Sequence, residues 1–209
     1  MSNVMRQPAE TFGPVRSVKK GLIVAGSFLV LIWSVQIIGL LLFPKNMAYL
    51  GIRPLEFSSV ASILSAPFVH GSFSHLIANS VPGAIFAFLV GYSGYRVFVE
   101  VTMITIFVGG LGVWITGGMG TVHIGASGLV YGWLVYLVAR GVFNKSFGQV
   151  VVGVVLGLSY SGMIWGIFPT AAWISWQGHL FGALGGFLAA ATIVSDDPKP
   201  ARKPVRINP

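Results

Sequence analysis

The chain has 209 residues, of which 55% are hydrophobic and 9% charged, and its mean hydropathy is +0.82. Soluble globular domains typically have about 25% charged residues, so this composition excludes an ordinary soluble domain and indicates a protein of the lipid bilayer. The sequence has no cysteine. Disulfides, thiolate metal sites and a cysteine nucleophile are therefore excluded.

Six apolar runs are candidates to cross a membrane, which takes roughly 20 residues for a helix. We therefore predict an all-α membrane protein with a bundle of six transmembrane helices. The first run is too long for a signal-peptide core and no A-x-A site follows it, so we expect it to be retained. The runs lie at about 21–43, 73–92, 97–117, 125–140, 147–168 and 174–194.

The chain divides into a core and two tails. The six-helix core occupies residues 21–194. Residues 1–20 are polar and lack periodicity, and residues 195–209 combine prolines with charges. Such segments cannot bury enough apolar surface to fold, so we predict two disordered tails.

The distribution of the basic residues behind the net charge of +8 indicates a membrane topology rather than a surface that binds nucleic acid. Lys and Arg in short loops favour the cytoplasmic side of a membrane. We therefore predict cytoplasmic N- and C-termini, with Lys45 and Arg53 on the outer side and no nucleic-acid partner. The other eleven of the 13 basic residues then lie inside: Arg6, Arg16, Lys19, Lys20, Arg96, Arg140, Lys145, Lys199, Arg202, Lys203 and Arg206.

Two outer loops carry further signals. The loop between the first two runs is about 30 residues long, and a loop of that length is expected to have structure of its own. Its SSVASILS segment, between Pro54 and Pro67, predicts a short helix. The loop between the last two runs has no charge, and tryptophan favours the headgroup level. We interpret its tryptophans as an interfacial belt: Trp165, Trp173 and Trp176.

Glycine is abundant, with 28 residues, and two of the runs contain G-x-x-x-G. Gly128 and Gly132 lie in the fourth run, and Gly182 and Gly186 lie in the sixth. Small residues at this spacing let helix backbones approach closely in lipid. We predict that the fourth and sixth helices pack against each other.

Polar side chains within membrane helices are costly and are candidates for function. Ser127 precedes Arg140, at the expected cytoplasmic end of its helix, by thirteen residues, which places it about 20 Å above that boundary. A serine hydroxyl needs a neighbouring base, and the imidazole of His179 suits that task. Either residue alone could equally make a structural hydrogen bond. Together they predict a nucleophile and its general base.

The second run adds two polar residues. His75 and Asn79 are spaced i, i+4, so their side chains lie on one helix face, where they could stabilise an oxyanion or tie the helix to a loop. His70 is expected to be structural, and His123 to lie near water in a glycine-rich loop without a catalytic role. No carboxylate is placed to complete a triad, since all five acidic residues belong to loops, tails or the cytoplasmic side: Glu10, Glu56, Glu100, Asp196 and Asp197.

Three motifs in chain order resemble those of the rhomboid intramembrane serine proteases. Gly125-Ala126-Ser127-Gly128 is similar to the G-x-S-G of the family, with Ser127 as the nucleophile. His179-Leu180-Phe181-Gly182, followed by Gly186, resembles H-x-x-G-x-x-x-G, with the histidine as the base. His75-Leu76-Ile77-Ala78-Asn79 resembles H-x-x-x-N, which implies oxyanion roles. Tyr131 matches the position where the family stacks an aromatic ring on the catalytic histidine.

The resemblance covers about residues 20–194 and has two departures. Many members have a Trp-Arg pair in the first outer loop, where this chain has Gly51-Ile52-Arg53-Pro54. Many have alanine before the catalytic histidine, where this chain has Gly178. The resemblance implies a cofactor-independent serine endopeptidase that cleaves single-pass membrane proteins within or near their membrane segment. It also implies a multi-pass protein, which we place in a bacterial inner membrane.

Three alternatives differ in class. A catalytically inactive rhomboid-like protein would bind transmembrane helices without cutting them. A metal site built from histidines is a weaker alternative, because the HExxH pairing of metalloproteases is absent. A small transporter is also weaker, because neither an inverted repeat nor an intramembrane charge pair is evident.

Overall fold

The computed structural model describes residues 16–42, 47–171 and 174–193. Within these ranges the chain is helical, and its strand-like feature is an isolated backbone bridge between Ile52 and His123. Short 3-10 helices cover Met47–Leu50, Phe57–Ser59, Ala66–Phe68 and Ser161–Ile167. The α-helices are α1 (Val18–Leu42), α2 (Ser62–Ser65), α3 (Phe73–Tyr92), α4 (Tyr95–Thr116), α5 (Ser127–Phe143), α6 (Phe147–Ser159) and α7 (Trp176–Thr192).

The described helices support an integral membrane protein. Three of them, α1, α3 and α4, are long and apolar enough to cross a membrane by length and composition. A fourth span results if α6 and the 3-10 helix after it, bent by 69°, count as one. The helix α5 is apolar but has 17 residues. The number of crossings and the side of the termini stay predictions, as does the division into core and tails.

Several expectations concern residues that the structure does not describe. The two tails lie there almost entirely, because the described ranges begin at Arg16 and end at Ile193. Lys45 and Trp173 also lie outside the described residues.

The helix boundaries follow local chemistry. Ser72 begins α3, because its side-chain oxygen accepts a hydrogen bond from the backbone N–H of His75 at 3.1 Å. The predicted fifth run, at about 147–168, is instead divided after Ser159, where Tyr160 has φ −111° and ψ 19°. The hydropathy pattern did not predict this bend, because the segment is apolar on both sides of it.

The helix α5 lies at the centre of the bundle, in contact with α3, α4, α6 and α7. Trp133, Tyr136 and Leu137 of α5 are fully buried. On the side facing α7, a Cβ atom added at Gly182 would collide with the Gly128 carbonyl. A Cβ atom at Gly186 would collide with the Gly132 carbonyl in the same way. The predicted packing of these two glycine-rich helices is confirmed.

The first outer loop is ordered through its own polar contacts. The hydroxyl of Ser59 accepts from the Arg53 backbone N–H at 3.0 Å and donates to the Arg53 carbonyl at 2.7 Å. The Arg53 guanidinium donates to the Glu56 carboxylate at 2.6 Å. The predicted short helix between the two prolines is present as α2 and its flanking 3-10 helices. The loop is therefore structured without the Trp-Arg pair.

Candidate active site

The side chains of Ser127 and His179 meet where α5 and α7 begin. His179 Nε2 and Ser127 Oγ are 2.8 Å apart, a hydrogen-bond distance. The two residues are 52 positions apart in the sequence, and the glycine contacts between the helices bring them together. Below the pair, a Cβ at Gly128 would lie 3.1 Å from the Gly178 carbonyl, which shows how closely the backbones approach.

The hydrogen bonds of His179 define its tautomer. Nδ1 lies 2.8 Å from the Gly166 carbonyl oxygen. Because a carbonyl can only accept, Nδ1 carries the hydrogen and Nε2 has a free lone pair. Nε2 is therefore the acceptor for the Ser127 hydroxyl. This is the arrangement in which a histidine can take the proton of a serine, with a backbone carbonyl holding the imidazole from behind.

The aromatic ring of Tyr131 lies flat on His179. The ring centroids are 4.2 Å apart and the planes differ by 8°. The Tyr131 hydroxyl donates to the Met163 carbonyl at 2.6 Å. The 3-10 helix at Ser161–Ile167 thus binds both the histidine and the ring that covers it. Since Tyr131 is one turn after Ser127 on α5, the stack also fixes α7 against α5.

Ser127 is the first residue of α5, and Ala126 precedes it as the helix cap. The first backbone N–H groups of a helix have no partner within the helix, and the helix dipole adds positive charge there. The Ala126 N–H donates to Nε2 of His70 at 3.3 Å, and the Gly125 N–H donates to the Ala66 carbonyl at 2.9 Å. These contacts hold the start of α5 against the first outer loop.

His75 approaches Gly125 closely. A Cβ at Gly125 would lie 2.5 Å from His75 Cε1 and 2.6 Å from Nε2. Gly125 also has φ +114°, a conformation that favours glycine. Glycine is therefore required twice here, for its backbone angle and for the space that the imidazole occupies.

Asn79 lies on the same face of α3, one turn below His75. Its side-chain amide donates to the His75 carbonyl at 3.1 Å, so it is bonded within its own helix. Both side chains line the same cavity as Ser127 and His179. The four residues that the motifs selected are therefore brought to one site, with the Asn79 amide turned back to its helix.

Two cavities adjoin Ser127. The larger measures about 2140 Å³, including the open space at its mouth, and is bounded by the start of α3 and the segment before α7. The smaller measures about 470 Å³ on the same basis and lies against Thr105, Gly109 and Gly110 of α4. Ser127 lines both cavities.

The remaining histidines make structural contacts. His70 is 2% exposed, and its ring packs edge-on against His75 with centroids 5.0 Å apart. Burial, assisted by the nearby His75, lowers the pKa of His70 to about 4, although the Phe68 carbonyl opposes this. Burial also lowers the pKa of His123, so it too is neutral near pH 7. The contacts of His70 fit its expected structural role, and the expectation that His123 has no catalytic role stays a prediction.

The described acidic residues are engaged elsewhere. Glu56 pairs with Arg53 at 2.6 Å, and Glu100 pairs with Arg96 at 2.7 Å. In the described part of the chain, the group that orients His179 is thus a carbonyl and not a carboxylate.

Sequence reasoning missed three contributors to this site. The carbonyls of Met163 and Gly166 act through the backbone, which has no residue-type signature. The third is Ser175, whose hydroxyl is 2.7 Å from Nδ1 of His123. A signal for it was available, because a serine just before an apolar helix is typical of an N-cap.

The chain is similar to a known protein family and to several bacterial proteins. The family model of the Rhomboid domain matches residues 58–196. An uncharacterized protein of Mycobacterium tuberculosis is 36% identical over 181 residues, which cover 83% of this chain and 75% of that protein. An uncharacterized protein of Mycobacterium leprae is 34% identical over 83% of this chain and 71% of its own length.

A Bacillus subtilis protein carries the name "Putative rhomboid protease YdcA" and is 30% identical over 132 residues. The matched segment covers 57% of this chain and 60% of that protein. The family match spans α2 to the end of α7 and so includes every residue of the site described above. This chain belongs to the rhomboid family.

Proposed function

We propose that this protein is an intramembrane serine endopeptidase in which Ser127 is the nucleophile and His179 the general base. The observation that carries the proposal is the short contact from Ser127 Oγ to His179 Nε2, with the opposite ring nitrogen bonded to the Gly166 carbonyl. A serine becomes a useful nucleophile when an adjacent base accepts its proton and a third group orients that base.

The reaction follows from the positions of the protons. Ser127 Oγ attacks the scissile carbonyl carbon while its proton moves to His179 Nε2. The protonated imidazole then gives that proton to the departing amine, which breaks the peptide bond and leaves an acyl-serine. A water molecule from the larger cavity then loses a proton to His179 Nε2, attacks the ester, and releases the second product. Ser127 recovers its proton in the last step.

We propose three groups that would stabilise the oxyanion. The first backbone N–H groups of α5 belong to Ser127 and the residues after it, at the positive end of the helix. His75 lies across Gly125 from them. Asn79 donates one N–H of its side-chain amide to the His75 carbonyl, and its second N–H remains as a donor for the oxyanion. We expect this second bond to form when substrate enters, since catalytic hydrogen bonds often tighten on binding.

We propose that the substrates are single-pass membrane proteins that enter laterally from the lipid. A transmembrane helix shields its peptide bonds and already uses their carbonyls, so it must unwind before it can be cut. The larger cavity beside Ser127 supports this proposal, because it offers space in which a segment could unwind. We further propose six crossings, both termini in the cytoplasm, and residence in a bacterial inner membrane with the site near the outer surface.

The test uses purified protein and a fluorophosphonate probe, which labels an activated serine without knowledge of the substrate. We expect labelling of the wild type and its loss in Ser127→Ala and His179→Ala, with parallel loss of cleavage of a model transmembrane substrate. Ser146→Ala is a matched control, because this serine begins α6 and makes no side-chain cap bond. Wild-type cleavage by Ser127→Ala would overturn the mechanism. Helix binding without any cleavage by the wild type would favour the inactive rhomboid-like alternative.

A further inference from the structure

A second serine and histidine pair lies directly beside the first. His123 is four residues before Ser127, and Ser175 is four residues before His179. His123 Nδ1 and Ser175 Oγ are 2.7 Å apart. The segment that leads to the nucleophile is therefore bonded to the segment that leads to the base.

The directions of the hydrogen bonds follow from the acceptors. The Thr121 hydroxyl donates to the Gly118 carbonyl at 2.6 Å, so its oxygen accepts from His123 Nε2–H at 2.8 Å. With the hydrogen on Nε2, Nδ1 of the neutral ring accepts from the Ser175 hydroxyl. The Ser175 oxygen in turn accepts the Gly178 N–H at 3.3 Å. The result is a continuous chain from the loop before α5 to the first turn of α7.

The backbone supports both ends of this chain. His123 exchanges backbone hydrogen bonds with Ile52 of the first outer loop, at 2.9 and 3.0 Å. Ser175 caps α7. The pair also lies where the two cavities meet, because both cavities are lined by His123, Ile124, Ser127 and Ser175. His123 is thus held by Ile52 through its backbone and by Thr121 and Ser175 through its ring.

Gly178 accommodates this arrangement. A Cβ at this position would lie 2.9 Å from Ser175 Oγ, so a larger residue would require the serine hydroxyl to shift.

Both reacting residues lie in the first turn of a helix, the part most prone to fraying. Below them, the glycine contacts of α5 and α7 hold the helices together. Above them, the connection between the two segments runs through His123 and Ser175. We propose that His123 and Ser175 form an outer clamp that holds Ser127 and His179 at reacting distance. Both are positioning residues, and the inference rests on the proposed function.

The experiment combines His123→Ala, Ser175→Ala and the double variant in a cleavage assay and in fluorophosphonate labelling. We expect each single variant to lose about 10- to 100-fold in kcat and in labelling rate, since small misplacements of reacting groups are costly. KM should change by less than about twofold, because the clamp acts on the reacting pair. The kcat and labelling rate of the double variant should equal those of the less active single variant, because either change alone already breaks the same contact.

Two further variants separate positioning from folding. Ser175→Thr keeps a hydroxyl and an N-cap, so we expect it to restore most of the rate. Ser65→Ala removes a different hydroxyl bond of the outer loop, to the Leu50 carbonyl at 2.9 Å, and should leave kcat within about twofold. Thermal unfolding of each variant shows whether it is folded.

The outcomes distinguish two failures. If Ser127→Ala still cleaves, the proposed function is wrong. If Ser127→Ala is inactive while His123→Ala and Ser175→Ala match Ser65→Ala, the clamp alone is wrong. Additive losses in the double variant, or no recovery in Ser175→Thr, would also overturn the clamp.

Discussion

Two helix pairs of this protein use glycine in opposite ways. Between α1 and α3, the glycines face mainly side chains: a Cβ at Gly83 would meet the ring of Phe28, one at Gly91 would meet Val24, and one at Gly21 would meet both the ring and the carbonyl of Phe88. Between α5 and α7, the glycines face mainly backbone, as the contact of Gly186 with the Gly132 carbonyl shows. The first pair packs chiefly through side chains, whereas the second brings two main chains together.

The difference matters for chemistry. A serine side chain is short, so its oxygen can reach a histidine on another helix only if the two backbones are close. Side-chain contacts of the α1–α3 type can adjust by rotation, whereas a carbonyl of a helix cannot move without the helix. We infer that the rigid backbone contact between α5 and α7 holds Ser127 and His179 together, whereas the adjustable contact between α1 and α3 serves packing alone.

The largest effect is expected from Gly186→Ala. The added methyl group collides with the Gly132 carbonyl, so α5 and α7 must separate. We expect cleavage to fall by more than about 100-fold and stability by about 3 kcal/mol, at the upper end of overpacking costs. Activity and unfolding in detergent micelles measure both. Wild-type activity in this variant would show that the backbone contact is not needed.

This interface also shows how far sequence reasoning reaches. The G-x-x-x-G spacing and the motifs around Ser127 and His179 predicted that α5 and α7 pack together, because small residues at helical spacing have few other uses in lipid. The second run predicted α3 closely, since its composition and its N-cap agree. Both successes concern features that side-chain type encodes.

The failures concern features that it does not encode. Gly83 and Gly186 are the same residue type on buried helix faces, yet one meets a ring and the other a carbonyl. The Gly166 carbonyl that orients His179 could be any residue's carbonyl. The contact of His123 with Ser175 was not predicted, because the two residues are 52 positions apart in the sequence. Such contacts arise from tertiary geometry, and a single sequence carries no periodic signal for them.

A second prediction concerns the pH dependence of stability that arises at the start of α5. His70, which holds the start of α5, has a folded-state pKa of about 4, against 6.5 in the unfolded chain. Between these values the unfolded state binds more protons, so stability is complete above pH 6.5 and falls as the pH drops toward 4. We expect a loss on the order of 2 to 3 kcal/mol, by linkage.

Unfolding measured from pH 7.5 to 4 checks this in wild type and in His70→Asn, which cannot titrate but can accept from the Ala126 N–H. The difference between the two slopes is the contribution of His70. Parallel slopes would show that the pKa of His70 does not differ between the folded and the unfolded chain, and so would contradict this prediction.

The smallest effects are expected in the α1–α3 region, from Gly83→Ala and its matched control Gly26→Ala. The methyl group at Gly83 would lie 2.5 Å from Phe28 Cε1, at the far end of a ring that can turn, so we expect a loss of about 1 kcal/mol. Gly26 has no atom within 4 Å of an added Cβ, so alanine there should be neutral or slightly stabilising through helix propensity. Cleavage should stay within about threefold of wild type in both, because Gly26 has no neighbour and a methyl group at Gly83 meets only side-chain atoms, of Phe28 and of Val130 in α5, and no helix backbone. Measurements of unfolding and cleavage in the two variants side by side test this difference.

The contradicting outcome would be a Gly83→Ala variant that remains folded but no longer cleaves. Side-chain packing between α1 and α3 would then control the positions of Ser127 and His179 as strongly as the backbone contact does, and the distinction between the two regions would fail.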